Sequence, residues 1–238
     1  MKVRTRTRLY LTFDGMLTNG DVDFKRLGCV NIVAYTLEPG TYNLEAFEPY
    51  SLRFLKLMVM DGDCEVDDVF LREYAAPDVW SAHFESSDEG LNQLFAAGRE
   101  TYRQNAVGLF TDCPFRERAG WLCDSYFTAQ VAPMLSGHTK VEKNFFENFQ
   151  LPNHFAHLPS GMLPMCYPSD HYNGVFIPNW SLWFLLQLEQ YSKRSGDRDL
   201  VEALRPRVLS LLEYFRPLQS TIKEMKELYP PLVCHPIE

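Results

Sequence analysis

The composition of this 238-residue chain excludes several classes of protein. It carries 23 Lys and Arg against 31 Asp and Glu, so its formal net charge is −8. This acidic balance argues against a nucleic-acid-binding protein, because no basic cluster could pair with a phosphate backbone. With 46% hydrophobic and 14% aromatic residues the chain can bury a sizeable core, which excludes global disorder. No apolar run approaches the ~18 residues of a membrane span.

The N-terminal residues and the cysteines give little indication of compartment. The start, MKVRTRTRLYLTFDG, is basic but leads directly into an alternating strand, without the apolar stretch and cleavage site of a signal peptide. Either the protein is not exported by that route, or this is not the true start of the gene product. The 6 cysteines are scattered and form no CxxC pair, so we expect buried, reduced thiols rather than a zinc site or a disulfide scaffold. We also expect no cofactor.

The first third of the sequence predicts antiparallel β structure. Short runs rich in β-branched and aromatic residues are separated by turn signals such as Asn19-Gly20 and Asp61-Gly62. These predicted strands are Leu9–Asp14, Val30–Leu37, Tyr42–Phe47, Leu52–Met60 and Cys64–Tyr74. Five strands at such spacing are typical of part of an antiparallel sandwich.

The hydrophobic period becomes helical near Ala75-Ala76-Pro77. Ser86 and Glu89 form a capping-box pattern that opens the first predicted helix. Its apolar stripe consists of Leu91, Leu94, Phe95, Gly98 and Tyr102. Later helices are predicted over about 119–135, 141–149, 180–191, 198–215 and 218–228, with Gly137 ending the second and Asp197 capping the fifth.

The order of these elements predicts two domains. Strands come first and helices follow, which favours separate β and α domains over an α/β sheet. We expect a partial, jelly-roll-like β-sandwich over residues 1–77 and a helical domain over residues 78–238. A long irregular stretch, Leu151–Pro178, interrupts the helices, and a loop of that length inside a compact domain is usually functional.

The segment from Thr111 to Asp124 concentrates the polar chemistry of the chain. It combines three carboxylates, two arginines and a tryptophan: Asp112, Glu117, Asp124, Arg116, Arg118 and Trp121. A carboxylic acid beside an apolar ring can keep its proton near neutrality and protonate a leaving oxygen as a general acid. Other carboxylates can bind sugar hydroxyls, and Trp can stack on a pyranose. An Arg/Asp/Glu network capping helix termini explains the same residues equally well, so both interpretations stay open.

The spacing of this segment resembles a known signature. The pattern Asp112-Cys113-Pro114-x-Arg116-Glu117-Arg118-x-Gly120-Trp121-x-x-Asp124 closely resembles that of the α-L-rhamnosidases, glycoside hydrolase family 78, and their close relatives. SSDEGLNQLFAAGRETYRQN resembles the first barrel helix of that family, and IPNWSLWFLLQLEQY resembles a later inner helix. The Pro39–Pro77 stretch resembles its last sandwich strands and linker. The resemblance implies an inverting hydrolase with an (α/α)6 toroid, of the six-hairpin glycosidase type, and a site at the mouth of the ring.

The resemblance also implies roles for individual residues. Glu117 would be the general acid, Asp112 and Asp124 would bind sugar hydroxyls, Trp121 would line the sugar pocket, and Arg116 would orient the carboxylates. The implied partner is a rhamnose-containing glycan or glycoside, with no nucleic acid and no membrane span. The sequence gives no indication of the oligomeric state.

Two departures from the family affect these expectations. Cys123 stands where the family usually has Gly, which puts the pocket shape and hence the sugar in question. An inverting hydrolase also needs a second carboxylate as general base, and in the family this base lies well downstream. Glu238 is a poor candidate because terminal residues are rarely well positioned. We therefore expect a fragment that holds the acid but not the base, with an incomplete toroid and little activity of its own. The alternative is a non-catalytic carbohydrate-binding or interaction protein derived from the same scaffold.

Other candidate residues support weaker hypotheses. His154 and His157 have the spacing of a metal pair, but they lie in a Pro/Asn-rich loop without a carboxylate, so a metal is not favoured. His171 could line a sugar site or stabilise the long loop. Cys113 lacks an identifiable His partner for Cys–His hydrolysis.

Overall fold

The computed structural model describes residues 1–228 except Leu27, Ser81, Pro114 and 170–173, with side chains described as far as Leu218. Eight strands precede five helices. The strands are β1 Lys2–Val3, β2 Thr7–Asp14, β3 Leu17–Thr18, β4 Asp21–Val22, β5 Ile32–Leu37, β6 Gly40–Thr41, β7 Phe54–Asp61 and β8 Cys64–Glu65. The helices are α1 Glu89–Asn105, α2 Leu122–Ser136, α3 Lys140–Gln150, α4 Pro178–Ser195 and α5 Arg198–Leu228.

The β region is built on strand β2. This strand pairs antiparallel with β5 on one side and β7 on the other, and its register places Leu9 opposite both Tyr35 and Val59. Leu9 and Phe13, four residues apart on one face, are each only 2% exposed because alternate strand residues share a face. A second sheet has the order β6-β1-β8, and β3 pairs with β4. The predicted antiparallel β structure is confirmed.

Two predicted strands are wrong in extent. The Tyr42–Phe47 run contains no strand, since only the residues before it, Gly40–Thr41, pair with β1, and the last run pairs only at Cys64–Glu65. Several apolar residues beyond these pairs are exposed, with Phe47 at 103% and Leu71 at 73%. Strand propensity in these runs is not matched by a neighbouring strand, and a β ladder needs a partner to form.

The first helix begins differently from the prediction. The carboxylate of Asp88, not Ser86, caps α1, accepting hydrogen bonds from the backbone N–H groups of Gly90 and Leu91. Asp88 lies directly before the first turn, where its negative charge also complements the helix dipole. The predicted apolar stripe is buried only at its C-terminal end: Tyr102 is 4% exposed, whereas Leu91 is 48% and Leu94 69% exposed.

The ends of two helices follow the sequence, and a third does not. Gly137 and Gly196 terminate α2 and α4 in the left-handed conformation, as their lack of Cβ allows. The predicted break before residue 218 is wrong, since α5 continues through Pro206 and Pro217. Proline disfavours a helix interior, but tertiary packing overrides such local preferences. Buried Leu204 and other apolar side chains of α5 pack in the core.

The helical core is aromatic. Phe145, Phe146 and Phe149 of α3 are fully buried with Phe184 of α4, whose ring centroid lies 5.1 Å from that of Phe149. A second cluster joins α1 to α2 around Tyr102 and other buried residues. Antiparallel sheets followed by packed helices agree with the expected fold class, a partial β-sandwich with helical hairpins.

The border between the two regions lies between β8 and α1. Among the described residues of this connection there is no regular strand or helix, and we retain residues 77 and 78 as the proposed boundary. The expectation of buried thiols needs correction: of the five cysteines described, Cys166 is buried and the other four are partly exposed, with no disulfide among them. No helix described here has both the length and the apolarity to cross a membrane.

Candidate functional site

Hydrogen bonds between Asp112 and Ala119 close the loop that precedes α2. The backbone N–H of Asp112 donates to the Ala119 carbonyl at 3.0 Å, and the Ala119 N–H donates to the Asp112 carboxylate, also at 3.0 Å. Arg118, immediately before the closure, has a left-handed backbone with φ 51°. This reversal brings the two ends of the loop together, so residues distant by several positions face one another.

The long loop after α3 pairs with the residues that follow this closure. The Leu122 N–H donates to the Met165 carbonyl at 3.0 Å, and the Tyr167 N–H donates to the Gly120 carbonyl at 3.3 Å. Trp121, between Gly120 and Leu122, is the N-cap residue immediately before α2. The long irregular stretch therefore supports the signature segment directly.

Two carboxylates and a thiol meet inside the closed loop. One ligand atom from each of Asp112, Cys113 and Glu117 lies within 4.8 Å of the others. The thiol of Cys113 donates to Asp112 Oδ2 at 2.8 Å and lies 3.4 Å from Glu117 Oε2. Arg116 Nε lies 3.6 Å from the same Glu117 oxygen. The single proton of the thiol can be donated to only one of these carboxylates at a time, and Asp112 is the nearer acceptor.

The ionisation of the paired carboxylates is asymmetric. Burial raises the pKa of Asp112, and its hydrogen bond with Glu117 raises it further. Burial also opposes ionisation of Glu117, but hydrogen bonds from Asp112 and Cys113 and the charge of Arg116 together hold the pKa of Glu117 below its usual value. The pKa values of the two carboxyls are thus shifted in opposite directions, that of Asp112 upward and that of Glu117 downward. The expectation from sequence was a raised pKa on the acid.

Asp124 lies in the first turn of α2 and interacts electrostatically with this pair. Burial raises the pKa of Asp124, and the negative charge of Glu117 adds to the increase. Asp112 and Asp124 both line a cleft of about 360 Å³ between α1 and α2. Glu117 is not among the lining residues, although its side chain keeps 24% exposure. The structure thus brings Asp112, Glu117 and Asp124 into one neighbourhood.

Aromatic side chains cluster between the N-terminal part of α2 and α4. The ring of Trp121 meets that of Trp180 edge-on, with centroids 5.3 Å apart, and both are partly exposed. On the next turns Trp183 packs against Tyr126 at 4.8 Å and Phe127 at 5.3 Å. Trp121 lies three residues before Asp124 in the chain, and its partly exposed indole is of the kind that stacks on a pyranose.

The structure adds residues to the site that sequence reasoning did not select. Cys113 bridges the two carboxylates, and Arg118 contacts the β region through Glu48 and Tyr50. The local sequence does not identify the contacts of Arg118, because they join residues far apart in the chain, whereas Cys113 lies only one and four positions from its partners. Cys123 is partly exposed, and burial raises the pKa of its thiol.

The remaining candidates do not converge on the site. Among described residues, the His154 and His157 pair belongs to no cluster of three ligand-type side chains. His171 and Glu238 lie outside the described part of the chain.

Comparisons with known proteins agree with this architecture. Three solved structures resemble the chain at low sequence identity. The family 78 rhamnosidase of Bacillus sp. GL1 has a TM-score of 0.66 and 20% identity, covering 90% of this chain and 22% of its own. A Klebsiella oxytoca rhamnosidase with rhamnose bound has a TM-score of 0.57 and 18% identity, covering 90% of this chain and 44% of its own. The Streptomyces avermitilis α-L-rhamnosidase complexed with L-rhamnose has a TM-score of 0.59 and 20% identity, covering 91% and 21%.

These similarities establish the fold, and a family model establishes the family. The chain spans less than half the length of each of these three structures. A search of curated proteins returned no match. The family model for the bacterial alpha-L-rhamnosidase 6 hairpin glycosidase domain matches residues 80–227, which include the closed loop and all five helices apart from the last residue of α5. The chain therefore belongs to the bacterial α-L-rhamnosidase six-hairpin glycosidase family.

Proposed function

We propose that this chain carries the acid side of the active site of an α-L-rhamnosidase-type, inverting glycoside hydrolase. The observation that carries the proposal is the approach of Asp112 and Glu117, whose carboxylate oxygens lie within 4.8 Å of each other near Asp124, in a segment that matches the family. The proposed substrate is a terminal α-L-rhamnoside. Its support is the family itself, together with the rhamnose named for the Klebsiella oxytoca and Streptomyces avermitilis proteins.

The asymmetric pair suggests how Glu117 becomes an acid. In this proposal Asp112, whose pKa is raised by burial, holds a proton directed at Glu117 when no sugar is bound. A sugar hydroxyl that donates to Asp112 favours its ionised form, because a carboxylate accepts hydrogen bonds and a hydroxyl supplies one. The proton then resides on Glu117, which can transfer it to the leaving glycosidic oxygen. In this proposal Asp112 and Asp124 bind the sugar, Trp121 contacts its face, and Arg116 orients Glu117.

Asp112 is not a suitable general base for inversion. The carboxyl groups of an inverting pair stand about 6.5–9.5 Å apart, which leaves room for the attacking water. Asp112 and Glu117 instead have oxygens within 4.8 Å of each other and share a hydrogen bond. We therefore assign the base to a residue beyond those described. Six hairpins correspond to twelve helices, of which five are described.

Two measurements test the proposal. The first is calorimetric titration of the purified 238-residue chain with L-rhamnose, where we expect binding that Asp124→Ala abolishes. Glu147→Gln, an exposed carboxylate on α3 with 47% exposure, is the matched control and should bind normally. The second is hydrolysis of aryl α-L-rhamnosides by this chain and by a version extended through further downstream coding sequence.

We expect the chain alone to have little turnover, since each acid or base group contributes about 10²–10⁴-fold. In the extended version Glu117→Gln should abolish turnover and leave L-rhamnose binding intact. Turnover by the short chain within about tenfold of the extended one, and lost in Glu117→Gln, would place a base within these residues. Rhamnose binding without turnover in both versions would instead favour the non-catalytic carbohydrate-binding protein.

A further inference from the structure

Arg118 connects the loop of Glu117 to the β region. Its guanidinium Nη2 lies 3.8 Å from Glu48 Oε2, and its Cζ lies 5.0 Å above the ring of Tyr50. Its Nη1 also donates to the Phe115 carbonyl, at 3.3 Å, within its own loop. The side chain is only 22% exposed. The guanidinium of Arg118 therefore contacts both the loop of Glu117 and the β region.

The backbone of Arg118 explains why such a contact is needed. A left-handed φ of 51° is unfavourable for a residue with a Cβ, and it persists only where the surroundings hold it. The bend lies between Glu117 and Ala119, whose N–H closes the loop on Asp112. If the bend relaxes, Glu117 moves relative to Asp112.

The surface that receives Arg118, formed by Glu48 and Tyr50, packs on the core of the β region. The ring of Tyr50 packs on Phe13 with centroids 4.7 Å apart, and Phe13 is 2% exposed in strand β2. The Tyr50 hydroxyl donates to Glu48 at 3.3 Å, which holds the carboxylate that faces Arg118. Tyr50, on which Arg118 lies, is thus packed on β2, the central strand of its sheet.

A second contact reaches the end of the same strand. A Cβ placed on Gly15 would lie 3.3 Å from the ring of Phe115, so the ring packs directly on this backbone. Arg26 lies over the Phe115 ring at 5.6 Å and is held by Asp14 through bonds of 2.7 and 2.8 Å. The loop is therefore supported at Phe115 and at Arg118, on either side of Glu117.

We propose that Arg118 is a positioning residue. Through its contacts with Glu48 and Tyr50 it holds the backbone bend at Arg118, and this bend sets the position of Glu117 relative to Asp112. The proposal rests on the function assigned above to Glu117. In this proposal the end of strand β2 helps to support the active site.

The test separates the side chain of Arg118 from its backbone. Arg118→Gly removes the side chain but adopts the left-handed conformation freely. Arg118→Lys keeps a cation. Tyr50→Ala removes the aromatic ring on which Arg118 lies, and Tyr50→Phe keeps that ring. Arg6→Ala is the matched control, since Arg6 forms an exposed pair with Glu38 at 3.3 Å.

The readout is the titration of the Glu117 carboxyl by carbon NMR in the full 238-residue chain, with Glu117→Gln to assign the signal. We expect the pKa of Glu117 to rise toward its usual value in Arg118→Gly and Tyr50→Ala, as the hydrogen bond from Asp112 weakens. Arg118→Lys should restore part of the shift. Tyr50→Phe keeps the ring but loses the hydrogen bond to Glu48, so its shift should be smaller than that of Tyr50→Ala, and Arg6→Ala should titrate as the parent. Circular dichroism verifies that each variant is folded.

Each outcome decides the proposal. A parental titration in Arg118→Gly would show that the bend alone positions Glu117, and would overturn it. Should Arg118→Gly not fold, Tyr50→Ala decides instead: a parental titration there overturns the proposal, and a raised Glu117 pKa supports it. A raised pKa in a chain that binds no L-rhamnose would retain the positioning role and reject the proposed function.

Discussion

A buried ion pair between α3 and α4 offers a quantitative test of the helical core. Glu142 is fully buried, and its Oε1 accepts a hydrogen bond from Arg194 at 2.7 Å. The Arg194 side chain is 18% exposed, and Glu142 Oε2 has no hydrogen-bond partner among the described residues. We consider Arg194→Met, which keeps much of the side-chain volume but leaves the carboxyl group unpaired.

Breaking a buried pair by removing one partner costs about 3–5 kcal/mol, because an uncompensated charge remains. Arg194 is partly solvated, so we expect the lower value, about 3 kcal/mol. For a chain of this size this corresponds to a fall in Tm of about 6–12 °C. The double variant Glu142→Gln with Arg194→Met removes the charge and should recover a large part of the loss.

The pH dependence has a definite sign. Burial raises the pKa of Glu142 even beside Arg194, and removal of Arg194 raises it further. Because the pKa of Glu142 is higher in the folded than in the unfolded state, its protonated carboxyl stabilises the fold below the ordinary pKa of about 4.5. This stabilisation is lost as pH rises. The difference between Arg194→Met and the parent should therefore be small at pH 4 and full at pH 7.

Urea unfolding followed by circular dichroism measures these differences. Lys193→Met is the control, because its partner Glu189 is exposed at 57% and an exposed pair contributes at most about 1 kcal/mol. A loss below about 1 kcal/mol in Arg194→Met, equal at pH 4 and pH 7, would refute the reasoning about uncompensated charge.

Three further predictions concern backbone, acid stability and surface. Gly161→Ala should strongly lower the urea concentration at the unfolding midpoint, because Gly161 has a φ of 85° and a Cβ there would lie 2.3 Å from the Ser210 carbonyl oxygen. Gly98→Ala has open space around it inside α1, so in the same urea titration it should stabilise the protein by about 0.5–1 kcal/mol. Hydrogen bonding to Arg103 lowers the pKa of Glu100 to about 2, so its stabilising contribution is full above about pH 4.5 and lost as pH falls toward 2; acid unfolding of Glu100→Gln should lack this component. Met134→Lys should reduce binding of the dye ANS without changing stability beyond about 0.5 kcal/mol, since Met134 is 72% exposed, and a large loss of stability would contradict this.

Local patterns determined the features that depend on neighbours in the chain. The glycines after α2 and α4 end their helices because only a residue without Cβ enters the left-handed conformation at low cost. The short spacing of Asp112 and Glu117 likewise allowed their approach to be anticipated, since a closed loop holds them together. Their assignment as sugar-binding and acid residues stays a prediction.

Tertiary structure alone decided what depends on distant partners. The run after Cys64–Glu65 has strand propensity but no adjacent strand among the described residues, and α5 passes through Pro217 because packing outweighs a local penalty. The opposite pKa shifts of Asp112 and Glu117 follow from burial and from the arrangement of hydrogen bonds, neither of which a sequence shows. The contact of Arg118 with Tyr50 likewise exists only once the β region folds against the loop, because long-range contacts are set by the packing of whole elements rather than by the residues on either side.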